Sequence, residues 1–329
     1  MTHAFDEVAR AVLGARLADR LPPQWTTRYA PAPTGLLHLG HAVNAVFVWS
    51  IARAFGGDIL LRIEDHDRQR SRDAFDAAIR DDLAWLGLEA DNAPLGWPSP
   101  VRQHVDATPY EEALAKLEAR GDAYPCRCSR RDVAVAGASS RHEELRYPGT
   151  CRRSEVPSSE TPARRVQLDD ATVEFDDLRH GLQRQVPSGQ AGDVLVRDRH
   201  SQWTYQFAVT VDDLRQRVDV IIRGDDLLAS TGRQLMIAAM LGRSEPPLVL
   251  HHPLVMHADG TKLSKSLGDA GIADLRDAGW SAARILGHAA WLGGLQADSS
   301  PLTVADLPSL WPESRRSGLP ETERSTLPA

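Results

Sequence analysis

The stretch from Thr26 to Phe55 leaves the chain little choice of local structure. Thr26 to Ala30 reads as the end of a strand, Pro31 and Pro33 stiffen the exit, and Gly35 permits a turn. From Leu39 to Phe55 apolar residues recur at helical spacing. The unit is strand, turn, helix. A helix N-terminus offers unpaired backbone N–H groups and the positive end of a dipole, so it can receive phosphate. His38 and His41 stand three residues apart, and both can point from the first turn toward that phosphate. Imidazole donors there would stabilise charge developing on a pentavalent phosphorus. The plain alternative is a pair of surface histidines capping a helix, and a zinc-binding pair lacks its acidic helix motif. The flanking residues favour phosphate.

A second segment, Lys262-Leu-Ser-Lys265-Ser266, lies about two-thirds of the way along, among Gly260, Thr261 and Gly268. This composition reads as a polar, mobile loop whose two ammonium groups can close over a triphosphate and exclude water. A solvated lysine loop is the bland reading. Against it, Lys116, Lys262 and Lys265 are the only lysines in the chain, although Lys and Arg together number 38.

All three cysteines, Cys126, Cys128 and Cys151, fall within one short segment. Clustered thiols in a reducing compartment suggest a metal more than a disulfide, and three thiolates on zinc need a fourth ligand. His142 and Tyr147 are the candidates; imidazole is the more usual donor, phenolate the less usual. The same segment is basic, with seven arginines against three acidic residues from Cys126 to Arg153. The net charge of −7 therefore does not exclude an RNA partner, because binding follows local patches.

Together the two motifs, His38-Leu-Gly-His41 and Lys262-Leu-Ser-Lys265-Ser266, resemble the signatures of the class I aminoacyl-tRNA synthetases. Asp58-Ile-Leu-Leu-Arg62-Ile-Glu64-Asp65-His66-Asp67 is similar to a strand motif of the glutamyl-tRNA synthetases. So are the segments from Tyr205 to Asp213 and from Ile221 to Gln234. The Cys-x-Cys and Tyr-x-x-x-Cys pattern, with fewer than 70 residues after the lysine loop, resembles the glutamyl-Q tRNA(Asp) synthetases, which are truncated paralogues. The resemblance implies an α/β fold: a Rossmann-type class I catalytic domain with a small zinc-containing insert and no anticodon-binding domain. It implies a ligase that activates L-glutamate with ATP and Mg²⁺ in the absence of tRNA. Glutamate would then pass to queuosine in the anticodon loop of tRNA(Asp).

The site residues it implies are His38, His41, Lys262 and Lys265 for catalysis, with His38, Gly40, His41 and Lys265 on ATP. Glutamate would be bound by Arg28, Tyr29, Ala30, Pro31, Ala32, Glu64, Tyr205 and Arg223. Charge supports the core of this set. A ligand with two carboxylates and one ammonium needs fixed guanidiniums and a carboxylate, and Arg28, Arg223 and Glu64 each end an apolar run that reads as a strand. The resemblance also makes Tyr147, with Cys126, Cys128 and Cys151, a ligand of one structural zinc. The chain departs from the family at Ala32, where Ser is common, at His66, where Thr is usual, and at Gly232, where Pro is common.

The organisation expected is a helical extension over 1–24, with Phe5, Val8 and Val12 on its packing face. A catalytic domain follows over 25–298, interrupted by the zinc-binding insert at 122–162, and 299–329 reads as a disordered tail. No run of about 18 apolar residues and no basic-then-apolar leader is found, so a cytoplasmic monomer without membrane contact is expected.

Overall fold

A computed structural model describes residues 7–136, 145–154, 162–256 and 270–311. The elements run α1 (Glu7–Arg20), β1 (Thr26–Tyr29), α2 (Leu39–Phe55), β2 (Asp58–Leu61), α3 (Asp73–Leu86), α4 (Thr108–Ala119), β3 (Ala123–Cys126), α5 (Arg130–Ala136), β4 (Ala163–Val166), β5 (Val173–Asp177), β6 (Gly181–Gln185), α6 (Pro187–Gln190), β7 (Val194–Arg197), α7 (Tyr205–Arg215), β8 (Val220–Gly224), α8 (Thr231–Met240), β9 (Leu248–His252), α9 (Ile272–Asp277) and α10 (Ala282–Leu292). Short 3₁₀ helices lie at Asp225–Ser230 and Val304–Leu310.

Parallel pairing organises the part of the fold that holds the site. β1 pairs with β2, and β8 with β9, which sets Arg223 opposite His251. β5 continues beyond β9 in parallel and carries β6 antiparallel on its other side. β1 and β8 run side by side, tied by the Asp219 N–H to the Thr26 carbonyl and by the Thr27 hydroxyl to the Val220 carbonyl. The C-terminal ends of β1, β8 and β9 therefore converge, where open α/β sheets receive ligands.

The helix α2 is buried from Ala42 to Ala52 except at the half-buried Asn44, because strands cover one side and α10 and the Val304–Leu310 helix cover the other. Apart from the β1-β2 and β6-β5-β9-β8 sheets, an antiparallel sheet, β3-β4-β7, lies on α4 and α7 around Tyr110, Leu117, Val166, Val196 and Phe207. Its first strand is Ala123–Cys126, so the cysteine segment is an excursion between β3 and β4 and not a separate block beginning at 122.

Two expectations are corrected. The packing face of α1 is Leu13, Leu17 and Leu21, all buried, whereas Val12 is 56% exposed; Phe5 and the Val8 side chain lie outside the described residues. Arg16 and Arg20 pin the helix to Asp176 on β5 at 2.6 and 2.5 Å. The tail is also not structureless from 299. Residues 304–310 are helical, Trp311 is buried, and its indole N–H reaches Ser50 Oγ at 2.9 Å. No described helix is long and apolar enough to cross a membrane.

Candidate functional site

Along β1 successive side chains alternate, so Arg28 and Tyr29 face opposite ways. Arg28 is 5% exposed and donates to Asp213 Oδ1 at 3.1 Å and to the Ile222 carbonyl at 3.3 Å. Tyr29 turns the other way into α2, with its ring edge against Trp49 and its hydroxyl on the His41 carbonyl. Its phenol is thus packed in the core and not in the pocket. Arg62 and Glu64, two apart on the next strand's exit, share a face. Arg62 is fully buried and donates to Glu64 Oε1 at 2.9 Å, Asp213 Oδ1 at 2.8 Å and Gln216 Oε1 at 2.8 Å.

Burial alone would lower the pKa of Arg62, but Asp213 and Glu64 outweigh it and hold the guanidinium firmly charged. The same contacts act on Asp213 in reverse. Burial opposes its ionisation, while Arg28 and Arg62 keep it below the usual carboxylate range. Arg62 and Asp213 were present in the quoted motifs without an assigned role. The signal for Arg62 is its i, i+2 spacing to Glu64 on an apolar strand; the signal for Asp213 is a charge at the buried end of α7.

Arg223 on β8 is 3% exposed, and Gln234 and Thr231 of α8 accept from its terminal nitrogens at 2.6 and 2.8 Å. Tyr205 opens α7 beside this group. Burial, then the charge of Glu64, pushes its hydroxyl up to about 12, so it stays a neutral donor. Arg28, Arg62 and Arg223 are thus gathered with Glu64, Asp213 and Asp212, whose Oδ2 is 3.8 Å from Arg62 Nε, so guanidiniums and carboxylates stand together in one buried cluster. Ala30 and Pro31 form the chain turn beside them, with the Pro31 carbonyl accepting from Glu64 N–H at 3.1 Å. Ala32 is exposed, and only its carbonyl is engaged, by Thr34 N–H at 2.8 Å. His66 donates through Nδ1 to Gln103 Oε1 at 2.6 Å and lies 6.3 Å from the Tyr205 ring. Gly232 donates its N–H to Gln185 Oε1 at 2.8 Å, a bond proline cannot make.

At the start of α2 the two histidines cap the helix reciprocally. Gly40 N–H donates to His38 Nδ1 at 3.0 Å, and His38 N–H donates to His41 Nδ1 at 3.1 Å. Both Nδ1 atoms are acceptors, so each ring is neutral with its proton on Nε2. A side chain at Gly40 would lie 2.9 Å from the His38 ring, which accounts for glycine between them. The capping reading and the phosphate reading are therefore compatible: one nitrogen caps and the other carries the proton. Ile272 N–H bonds to the Leu37 carbonyl, which brings the segment after the lysine loop beside His38. Lys262 and Lys265 lie outside the described residues.

The cysteine sulfurs of 126, 128 and 151 lie within 4.8 Å of one another. The Tyr147 hydroxyl stands 3.4 Å from Cys126 Sγ and 3.7 Å from Cys128 Sγ. It also accepts the Cys151 N–H at 2.9 Å. Tetrahedral zinc with bonds of about 2.3 Å to sulfur sets its sulfurs about 3.8 Å apart; the 3.5 Å between Cys128 and Cys151 and the flanking oxygen fit such a donor set. Burial opposes ionisation of Cys151, but Tyr147, the Arg127 N–H and the neighbouring thiols bring it down to about 7. Arg165 stacks 3.8 Å over the Tyr147 ring and donates to Cys126 Sγ at 3.4 Å. Gly192, at φ +69°, is needed for the approach: a Cβ there would stand 1.8 Å from the Tyr147 carbonyl oxygen. His142 lies outside the described residues.

Residues 24–289 match the catalytic-domain family of class I tRNA synthetases (E and Q). The chain is 41% identical over 293 residues to a glutamyl-Q tRNA(Asp) synthetase of Symbiobacterium thermophilum, covering 85% of this chain and 90% of that protein. It is 38% identical over 278 residues to glutamate–tRNA ligase 2 of Syntrophus aciditrophicus, covering 81% of this chain and 57% of that protein. The crystal structure of a glutamate tRNA ligase from Elizabethkingia meningosepticum, solved with its amino acid, gives a TM-score of 0.72 at 23% identity. That match covers 86% of this chain and 64% of the other, so the chain spans just under two thirds of that structure's length.

Proposed function

Because the chain belongs to the class I tRNA synthetase (E and Q) catalytic family, among the glutamyl-Q tRNA(Asp) synthetases, we propose that it activates L-glutamate with ATP and transfers it to queuosine in the anticodon loop of tRNA(Asp). The observation that carries the amino acid is the buried charge cluster. Glutamate brings two carboxylates and one ammonium to a cluster that presents fixed guanidiniums and a carboxylate side by side. Glu64 receives the ammonium, Arg28 and Arg223 take the carboxylates, and Tyr205 donates through its hydroxyl. Arg62 and Asp213 hold the charged ligands apart and in place.

ATP, with Mg²⁺ on its phosphates, lies over the N-terminus of α2, where backbone N–H groups and the Nε2–H of His38 and His41 meet the α-phosphate. A carboxylate oxygen of glutamate attacks the α-phosphorus, the bond from that phosphorus to the bridging oxygen breaks, and pyrophosphate leaves under Lys262 and Lys265. Charge on the phosphorus is greatest midway, so donors aimed there lower the barrier. The nucleophile comes already ionised, so no protein base is required. In the second step a hydroxyl of the modified nucleoside attacks the mixed anhydride carbonyl, the bond from that carbon to the phosphate oxygen breaks, and AMP leaves with its phosphate taking the hydroxyl proton. Cys126, Cys128, Tyr147 and Cys151 would hold one structural zinc, which ties the arginine-rich excursion to the β3-β4-β7 sheet.

The test is transfer of labelled glutamate to tRNA(Asp) with and without queuosine. Label confined to the queuosine-containing tRNA is expected. Equal labelling of both would instead favour charging of a 3′ end, and no glutamate-dependent exchange of pyrophosphate into ATP would favour a non-catalytic RNA-binding role.

A further inference from the structure

Each nitrogen of the Arg223 guanidinium is already held by one protein acceptor. Nη1 and Nη2 use Gln234 and Thr231, and Nε donates to His251 Nε2 at 3.0 Å. A guanidinium has five N–H bonds, so beyond these three contacts two remain on the terminal nitrogens, with the Tyr205 hydroxyl beside them, the two-pronged pattern that suits a carboxylate. The plane in which those two point depends on what fixes Nε.

That anchor is built for the purpose. His251, on β9 opposite Arg223, has no exposed surface, and its Nδ1 is 2.7 Å from Asp177 Oδ2. The same oxygen accepts the His251 N–H at 3.1 Å, while Asp177 Oδ1 accepts the N–H groups of Arg179 and His180 at 2.9 and 2.8 Å. Burial would raise the pKa of Asp177, but the His251 hydrogen bond and the backbone donors bring it below the usual range, so it is a carboxylate. A carboxylate on Nδ1 places the imidazole proton there and leaves Nε2 a bare acceptor. Burial also lowers the pKa of His251 and keeps the ring neutral. Thr231 Oγ1, 3.1 Å from the same Nε2, closes the ring of contacts.

We propose that Asp177 and His251 form a positioning relay for Arg223: the carboxylate sets the tautomer and plane of the imidazole, and the imidazole sets the plane of the guanidinium that selects the substrate carboxylate. The proposal rests on Arg223 as a glutamate ligand. Neither relay residue touches substrate.

The test separates the two ends of the imidazole. His251→Gln places an amide oxygen near Nε2 and keeps the acceptor for Arg223; His251→Asn places its amide near Nδ1 and keeps only the contact to Asp177. In glutamate-dependent ATP–pyrophosphate exchange, the Asn variant should raise KM for glutamate about tenfold or more, as expected for a lost hydrogen bond to a charged group. The Gln variant should stay within about threefold of wild type, the size of a smaller neutral contact, and KM for ATP should change in neither. The reverse ranking, or equal changes in both KM values, overturns the relay and makes His251 a structural residue. Arg223→Ala in the same assay tests the premise: an unchanged KM for glutamate there overturns the glutamate role of Arg223 itself. Should the variants unfold, ¹⁵N NMR of the wild-type imidazole decides, with protonated Nδ1 and bare Nε2 expected and the opposite tautomer overturning the proposal.

Discussion

Residue by residue, the site is a set of charges that hold one another, and buried histidines are tuned by what lies next to them. His252 is the clearest case outside the pocket. It stacks on Phe47 at 4.9 Å, donates through Nδ1 to the Pro253 carbonyl at 3.0 Å, and its Nε2 has no partner among the described residues. Burial drives its pKa down to about 4. The unfolded chain, with a histidine near 6.5, binds the proton first as pH falls, so stability is complete above about 6.5 and is lost between 6.5 and 4. Urea unfolding at pH 7 and pH 5 should show wild type losing about 2 kcal/mol more than His252→Phe. At the cysteines, Tyr147→Phe should lower bound zinc measured by metal analysis; full zinc in that variant, with loss in His142→Ala, would reverse the ligand assignment. Arg28, Glu64 and Arg223 could be singled out from the sequence because each ends an apolar run, and Tyr205 because its segment resembles that of the family. The roles of Arg62, Asp213 and His251 could not, since their partners lie up to 185 residues away and meet only in the folded chain.

Among the elements, α2 has the boundaries expected from its periodicity, Leu39–Phe55, because a continuous apolar run between a capping segment and Gly56 leaves little room for another reading. In α1 two apolar series compete, one through Val8 and Val12 and one through Leu13, Leu17 and Leu21. Local spacing does not choose between them. The anchors Arg16 and Arg20 to Asp176, and Arg10 to the Leu295 carbonyl, do. The final element was hidden by its composition: a Pro- and Ser-rich stretch carries one tryptophan that fits against α2 beside Phe55 and Ser50. Trp311→Ala should cost about 3–5 kcal/mol, as for other large core truncations, seen as a lower urea midpoint with little change in KM for glutamate.

Over the described residues, three sheets divide the work. The β1-β2 pair and the β6-β5-β9-β8 sheet lie side by side and bring together the strand ends that carry Arg28 and Arg223, and the antiparallel β3-β4-β7 sheet carries the cysteine excursion. The seven arginines from Cys126 to Arg153 make the excursion locally basic within a chain of net charge −7, so the acceptor is the natural object of a whole-molecule test, and the queuosine assay serves as that test. The sequence by itself determined the family and the local patterns behind the proposed chemistry: a strand-turn-helix with two histidines, a lysine pair, and charged residue types that would suit two carboxylates and an ammonium. These are local patterns, and short-range spacing is enough to express them. Tertiary structure decided which nitrogen of each histidine caps the helix, which way Tyr29 faces, and which buried acids hold the arginines. Those outcomes depend on contacts between strands distant in sequence, where parallel register and burial, not local propensity, set the geometry.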